Sequence, residues 1–591
     1  MRQFLIFFLL LISALSYSQE QQVAYDYFRK GAFEKAATIY QSLYEKNNFN
    51  ASYLTRLIYC HRQLEDFDKA QELVQNHLVK YPTQIQFYVE IGYNYELQHN
   101  QEKAVSYYNK AIAELEKNPN YGYAIGRSFQ YNHLLEYALK AYKIALKANP
   151  RANYNIQLAS IYGEKGEIEN MFNAYLDLVE KDEKYSSTIL RYINKYITED
   201  SENKYNIIFK KTVLTRLQKN QLSAWNQMLS WIFIQQKQYH RAFIQEKALY
   251  KRNDSLGLGG VSNVGLIAFK HKDYSTTIHC FNFIVENSEN SKDIIKSKLY
   301  LLYASMETSN DLDMVNTQFQ DLFAEFGKNA TTIDIQIAYA DFLAFDMNES
   351  EKGIEILRET LNFRLDEFQK GEIKISLGDL LVFDGKFNEA LVYFSQVQTR
   401  LKNHTLAQNA RFKVAQTSYY KGDFEWAQTQ LKVLKQSTSQ RISNDAIELS
   451  LIISDNSVKD SLKLALKSYA RADLLAFQNK NQQAVDTLTQ LLRNHKGHAI
   501  EDEALFKQGE TFEKMKLFDK ASSNYIRLIE INDQDILVDN AYYRLAEISL
   551  KQNKLEKAKE YYQKIIFDYS SSIYMVDARK KFRTLRGDDL Q

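Results

Sequence analysis

The stretch Gly31-Ala32-Phe33-Glu34-Lys35-Ala36-Ala37-Thr38-Ile39-Tyr40-Gln41-Ser42-Leu43 carries an aromatic at 33, Ala at 36, an aromatic at 40 and Leu at 43. Spacings of 3, 4 and 3 place these four residues on one face of an α-helix. The skeleton recurs along the chain. Its second anchor falls at Ala36, Ala70, Ala104, Ala138 and Met171, in steps of 34, 34, 34 and 33. Its third anchor reads Tyr40, Val74, Tyr108, Tyr142 and Tyr175. Ahead of these anchors a second helical pattern holds close-packing pairs such as Ile91-Gly92, Ile125-Gly126 and Leu158-Ala159. Small residues there let two helix axes approach. Pro82 and Pro150 follow the anchors Ala70 and Ala138 by the same interval, where the second helix should stop.

Working outward, the register continues at Ala242 and Thr277, and the double-length gap between Met171 and Ala242 leaves space for a degenerate repeat around Tyr192 to Gln221. Beyond residue 290 the rhythm lengthens. The second anchor falls at Val315, Gly353, Ala390 and Ala427, then at Ala484, Ala521 and Ala558. The long step from Ala427 to Ala484 leaves room for an additional helix within Ile442 to Leu475. Ala fills 10 of these 14 anchors, as expected where a larger side chain would hold two helices apart.

The pattern resembles the tetratricopeptide repeat, a pair of antiparallel helices recurring every 34 residues. The resemblance implies an all-α, right-handed superhelical solenoid of antiparallel helix pairs. It divides the chain into a leader at 1–18, an array of period near 34 at 19–290, longer and degenerate repeats at 291–475, and a C-terminal array of period near 37 at 476–591. The run Tyr561-Tyr562-Gln563-Lys564-Ile565-Ile566-Phe567-Asp568-Tyr569-Ser570-Ser571-Ser572-Ile573-Tyr574, followed by Ala578-Arg579, is similar to a longer variant of bacterial envelope proteins. That variant occurs in outer-membrane assembly lipoproteins and in Tol–Pal cell-division coordinators. Ser570 stands where the variant has Pro, and no lipid-carrying Cys follows the leader.

Composition agrees with a helical array. Three prolines and 19 glycines in 591 residues are far below the usual ~5% and ~7%. Tyr (42) and Phe (34) greatly outnumber Trp (3), a bias that repeated wedge-filling between helices explains without a cofactor. The net charge is +2, with 75 basic and 73 acidic residues interspersed, and no basic stripe points to nucleic acid. At the N-terminus, Arg2 precedes the apolar run Phe4 to Ile12, and Ser16-Tyr17-Ser18-Gln19 offers a cut after Ser18. This is the pattern of a secretory signal peptide. No later segment reaches 18 apolar residues, so the mature chain is expected to lack a transmembrane segment. Cys60 and Cys280 belong to distant repeats and read as buried hydrophobes that do not meet.

No catalytic, cofactor-binding or metal-binding residue is expected. Gly257-Leu258-Gly259-Gly260 lacks the preceding strand and following Gly-Lys-Ser/Thr of a phosphate loop and reads as an inter-repeat turn, with the next helix beginning near Val261. His495 and His498 precede Glu501-Asp502-Glu503, but without metal-ligand spacing, and acids at a helix start complement its dipole. Glu349 with Glu351, and Asp588 with Asp589, read as hydrophilic ends. No Gly-x-Ser-x-Gly elbow occurs and no long stretch escapes the helical pattern, so the chain is expected not to be an enzyme.

In the family the first helix of each pair lines a concave groove. Carried onto this chain, the groove residues include Tyr25, Tyr59, Arg62, Tyr93, Tyr123, Arg127 and Tyr131. Tyr25, Tyr59, Tyr93 and Arg127 occupy one equivalent position, each preceding its own second anchor by the same interval. Tyr and Arg are large, stiff, amphipathic contact residues, suited to gripping a peptide or partner helix. Members that clamp a C-terminal carboxylate carry Asn there, so Tyr argues against such a tail. The expected function is a protein–protein interaction scaffold of the bacterial envelope, periplasmic or peripherally associated with outer-membrane complexes. Its partners would be other proteins or peptides. Two alternatives stay open: a secreted or surface-associated adaptor, and a glycan-binding protein or enzyme with an unrecognised site.

Overall fold

Each repeat begins with a helix that must turn back on itself within a few residues. In the computed structural model, which describes residues 20–150, 153–435, 439–457 and 463–587, the device is the same almost throughout. At a fixed place just ahead of the second anchor the backbone takes a left-handed conformation. It does so at Gly31, Glu65, His99, His133 and Gly166, and again at Lys237, Lys272, Asn348, Gly385, Gly422, Asn479, Lys516 and Asn553. Among the 14 anchors, Val315 lacks this marker. Where Asp or Asn follows, it caps the next helix. Asp66 Oδ1 accepts from the Lys69 amide at 3.3 Å and Asn100 Oδ1 from the Lys103 amide at 3.2 Å.

The helices follow one another in hairpins: Ala51–Gln63 with Phe67–Lys80, Phe87–Leu97 with Gln101–Lys117, Gly122–Tyr131 with Leu135–Ala148. We call the first of each pair helix A and the second helix B. Every regular element among the described residues is helical. The expected leader at 1–18 and the pair Asp588 and Asp589 lie outside the described residues. Among the described residues no helix is long and apolar enough to cross a membrane.

Packing explains the sequence pattern. The anchors Ala36, Ala70, Ala104, Ala138, Ala390, Ala484, Ala521 and Ala558 are all fully buried. Beside several of these crossings, an aromatic of helix B lies flat against a glycine of helix A. A Cβ at Gly126 would sit 2.6 Å from the Tyr142 ring, and one at Gly509 2.6 Å from the Tyr525 ring. Two such tyrosine hydroxyls are held by carboxylates on helix A: Tyr108 donates to Glu96 Oε2 at 2.5 Å and Tyr525 to Glu513 Oε1 at 2.7 Å. Burial raises both phenols far above their ordinary range, with the carboxylates adding to it. Much of the Tyr and Phe excess is therefore core.

Gly509→Ala tests this close approach. In an open helix the change would stabilise by about 1 kcal/mol. Here the new methyl meets the buried Tyr525 ring, and overpacking costs about 1–3 kcal/mol. A net loss is expected in chemical denaturation; a gain in stability would refute the close-packing account.

Contacts divide the chain into two compact units. The first holds the described residues up to Ile197 together with Lys204–Ile232; the second holds Thr198–Asn203 and Phe233 onward. The degenerate stretch after Met171 forms helices Ser186–Ile193 and Lys204–Lys219, and the longer repeats begin inside the second unit. In the second unit a helix at Gln440–Asp455 stands between the pair ending at Leu434 and the helix A at Leu464–Phe477, where the long step left room for one. Gly257 takes a left-handed turn, and the next helix starts at Gly259, inside the glycine run and ahead of the expected Val261. Cys60 and Cys280 are free and buried, their thiols pushed up to about 12 by burial.

Candidate partner-binding site

The seven residues expected to line a groove in the first unit are of three kinds in the structure. Tyr25, Tyr123 and Tyr131 expose 37%, 45% and 47% of their surface, and Arg127 is exposed beside them. Arg127 Nη1 donates to the Tyr123 hydroxyl at 3.2 Å, one helical turn away. Tyr59 and Tyr93 are half-buried. The Tyr59 ring packs on Phe28 at 5.0 Å and on Tyr131 at 6.3 Å, linking helices A of three different repeats.

Arg62 departs from the expectation. It is 5% exposed and does not face a groove. Its Nη1 donates to Glu90 Oε2 at 2.8 Å, Nη2 reaches the Glu90 carbonyl, and its guanidinium stands 5.1 Å from the Tyr93 ring. Glu90 also accepts from Ser128 Oγ at 2.6 Å and Asn132 Nδ2 at 3.0 Å. One buried carboxylate thus ties helices A of three successive repeats. The physical reason is local: the carboxylate one turn below Tyr93 is nearer to Arg62 than solvent is. A residue that the pattern overlooked is Arg56, whose guanidinium lies 4.8 Å from the Tyr25 ring and donates to Tyr40 at 3.0 Å.

In the second unit the position equivalent to Tyr25, Tyr59 and Tyr93 is acidic in four repeats: Asp379, Asp473, Glu510 and Glu547. Each acid pairs with a base on the next helix A. The distances are 2.9 Å for Asp379–Lys413, 3.0 Å for Asp473–Lys507, 3.1 Å for Glu510–Arg544 and 2.7 Å for Glu547–Lys581. Partly exposed pairs of this kind contribute about 0.2–1 kcal/mol each. The register that presents tyrosines in one unit makes charged rungs in the other. An acid followed at a constant interval by a base was the readable signal.

Near these rungs the helix Gln440–Asp455 helps enclose a cavity of about 960 Å³. Its other walls come from helices A at Thr405–Lys421, Leu464–Phe477 and Glu501–Lys514 and from the turn after Ile531. Nine carboxylates line it against one lysine, Lys507, with apolar surface from Phe412, Leu449, Phe506 and Ile536. Burial pushes Asp502 up to about 7, helped by a hydrogen bond with Glu503. Asp535 rises to about 6 through burial and its hydrogen bond with Asp502. His498 lines the same cavity, 6.0 Å ring to ring from His495. Among the described residues no three His, Cys, Asp or Glu side chains are grouped to hold a metal ion.

Comparison with known proteins names the repeat. The Tetratricopeptide repeat profile matches residues 85–114 and 539–566, one helix pair in each unit. No curated protein matches the chain in sequence. Among solved structures, the chain is similar to one titled "Structure of Naa15/Naa10 bound to HypK-THB", at 10% identity and a TM-score of 0.27, over 97% of this chain and 96% of that one. A second, "Crystal structure of APC/C hetero-tetramer Cut9-Hcn1", is similar at 12% identity and a TM-score of 0.24, over 97% of each chain. The two profile matches, together with the anchor register and the close helix crossings, make this an all-α fold of tetratricopeptide helix pairs.

Proposed function

We propose that the protein is an exported scaffold that binds partner polypeptides through its helices A, in the bacterial cell envelope, and acts by binding and not by catalysis. The observation that carries the reading is the exposure of Tyr25, Tyr123 and Tyr131, with Arg127, on helices A of the first unit. Exposed tyrosines on rigid helices offer large contact area at little ordering cost, and such residues dominate binding energy where they occur at interfaces. Export is supported by the leader pattern at 1–18, and an envelope address by the likeness of Tyr561 to Tyr574 to envelope repeats.

The test is capture in cells. A photo-crosslinking residue at 123 or 131 should trap one or a few proteins. The double variant Tyr123→Ala, Tyr131→Ala should lower partner affinity about 30- to 1,000-fold, since two contact tyrosines contribute about 1–2 kcal/mol each. Helicity should stay intact because both side chains are exposed. Undiminished capture by the double variant would remove this face from the mechanism. Fractionation of the tagged chain tests the address, and recovery from the cytoplasm would overturn it.

A further inference from the structure

The tyrosines at the third anchor of helix B meet different partners along the chain. Tyr108, Tyr525 and Tyr562 each donate to a carboxylate on helix A of the same repeat: Glu96, Glu513 and Glu547. Tyr142 has no such acid. Its helix A, Gly122–Tyr131, contains no Asp or Glu. Gln130 stands where Glu96 and Glu513 do, and Arg127 where Glu547 does. The Tyr142 hydroxyl is buried without a hydrogen-bond partner, with Tyr123 and Arg127 in electrostatic reach. Buried polar groups are almost always hydrogen-bonded, so this repeat lacks an acceptor that its equivalents have.

The surrounding face carries positive charge that nothing answers. Arg29 and Arg56 stand 6.0 Å and 4.8 Å from the Tyr25 ring, and Arg127 stands 5.9 Å from the Tyr123 ring. None of the three is in an ion pair among the described residues, and Glu90, on the helix A between those of Arg56 and Arg127, is already paired with Arg62. The Tyr59–Tyr131 ring contact joins the helix of Arg56 to that of Arg127.

We propose that this face receives an acidic polypeptide segment, its side-chain carboxylates on Arg127 and Arg56 and the rest of the segment on the exposed tyrosines. A guanidinium is a planar fork that takes a carboxylate bidentately, and stacking on a ring leaves its edge N–H groups available. A carboxylate seated at Arg127 stands where the register places Glu547, and it supplies the acceptor that the Tyr142 hydroxyl lacks. The arginines lie on three different helices A, 20–29, Ala51–Gln63 and Gly122–Tyr131, which suits charges spread along a segment and not one chain terminus. This rests on the scaffold reading and names the class of partner for the same face.

The experiment is fluorescence anisotropy with the full mature chain and a labelled peptide of alternating glutamate and leucine, amidated at its C-terminus. Saturable binding is expected, weakened several-fold by Arg127→Gln and at least tenfold by Arg127→Glu. Arg127→Glu also supplies the missing acid from within, so it should raise hydrogen-exchange protection of Leu135–Ala148 several-fold, a gain that a misfolded variant would not show. The same peptide with lysine for glutamate should not bind, a comparison that needs no variant. Absence of saturable binding, equal binding of the lysine peptide, or indifference to Arg127→Glu overturns the proposal. So does binding that requires a free C-terminal carboxylate, or a single-stranded oligonucleotide that binds more tightly than the peptide. Capture at 123 or 131 that persists without acidic-peptide binding sinks this inference alone, whereas loss of capture in the tyrosine double variant is the test of the scaffold reading.

Discussion

Replacing Arg62 by methionine is expected to destabilise the first unit by about 3–5 kcal/mol, more than any other single change considered for that unit. The reason lies in what remains. Arg62 and Glu90 side chains are each only 3% exposed. Removing the guanidinium leaves a carboxylate in the interior with two neutral donors, Ser128 and Asn132, and no countercharge. Desolvation of a lone buried charge is costly, whereas removing both charges together costs much less. The double variant Arg62→Met, Glu90→Met should therefore recover at least half of the loss. Repeat arrays need not unfold in one step. The fitting measurement is hydrogen exchange in Ala51–Gln63, Phe87–Leu97 and Gly122–Tyr131, the three helices that Glu90 joins. A single variant within about 1 kcal/mol of the parent, the range of an exposed pair, would show that this pair is not the tie it resembles.

The second large effect concerns pH. Asp502 is held at about 7 in the folded chain, against about 3.9 when unfolded. The folded state therefore keeps a proton that the unfolded state releases. Between pH 4 and pH 7 folding binds protons, so stability is highest at the acidic end and falls as pH rises through about 7. Three pH units correspond to about 4 kcal/mol, and sharing of the proton with Asp535 reduces the share of Asp502 to about 2–4 kcal/mol. Asp502→Asn mimics the protonated acid, since its amide nitrogen donates toward Glu503 and its amide oxygen accepts from Asp535. The variant should match the parent below about pH 4 and exceed it at pH 8, read by hydrogen exchange in the helix Glu501–Lys514. Parallel pH profiles for the two proteins would rule this out.

What the sequence made legible is whatever depends on one residue type at one spacing. Ala104 and Tyr108 announce a helix crossing because little else fits there, and Gly126 against Tyr142 announces how closely it is made. Tyr123 and Tyr131 were singled out by the positions the family resemblance implies, and both are exposed. The role of Arg62 was not legible. Its partner Glu90 lies at an offset of 28, short of the repeat length, and burial converts a contact residue into an internal tie. The rungs from Asp379 to Lys581 were present as letters but have meaning only once consecutive helices A are known to be neighbours. The chamber beside Gln440–Asp455 was still less readable. The long step from Ala427 to Ala484 foretold a helix there, yet nothing in that helix states that it will help enclose Tyr469 and Asp502.

The left-handed turn ahead of 13 of the 14 anchors has a consequence for how such a chain changes over generations. Thirteen turns share one backbone conformation, yet five residue types occupy it: Gly, Glu, His, Lys and Asn. What is inherited at that site is a distance and a handedness, not a letter. Most non-glycine residues there carry a modest steric cost of about 1–2 kcal/mol, small enough for packing at the neighbouring crossing to absorb. Drift can therefore erase the textual likeness between repeats while leaving each hairpin in register. That is why a profile written in letters finds one helix pair in each unit, while the geometry of the turns keeps time along nearly the whole chain.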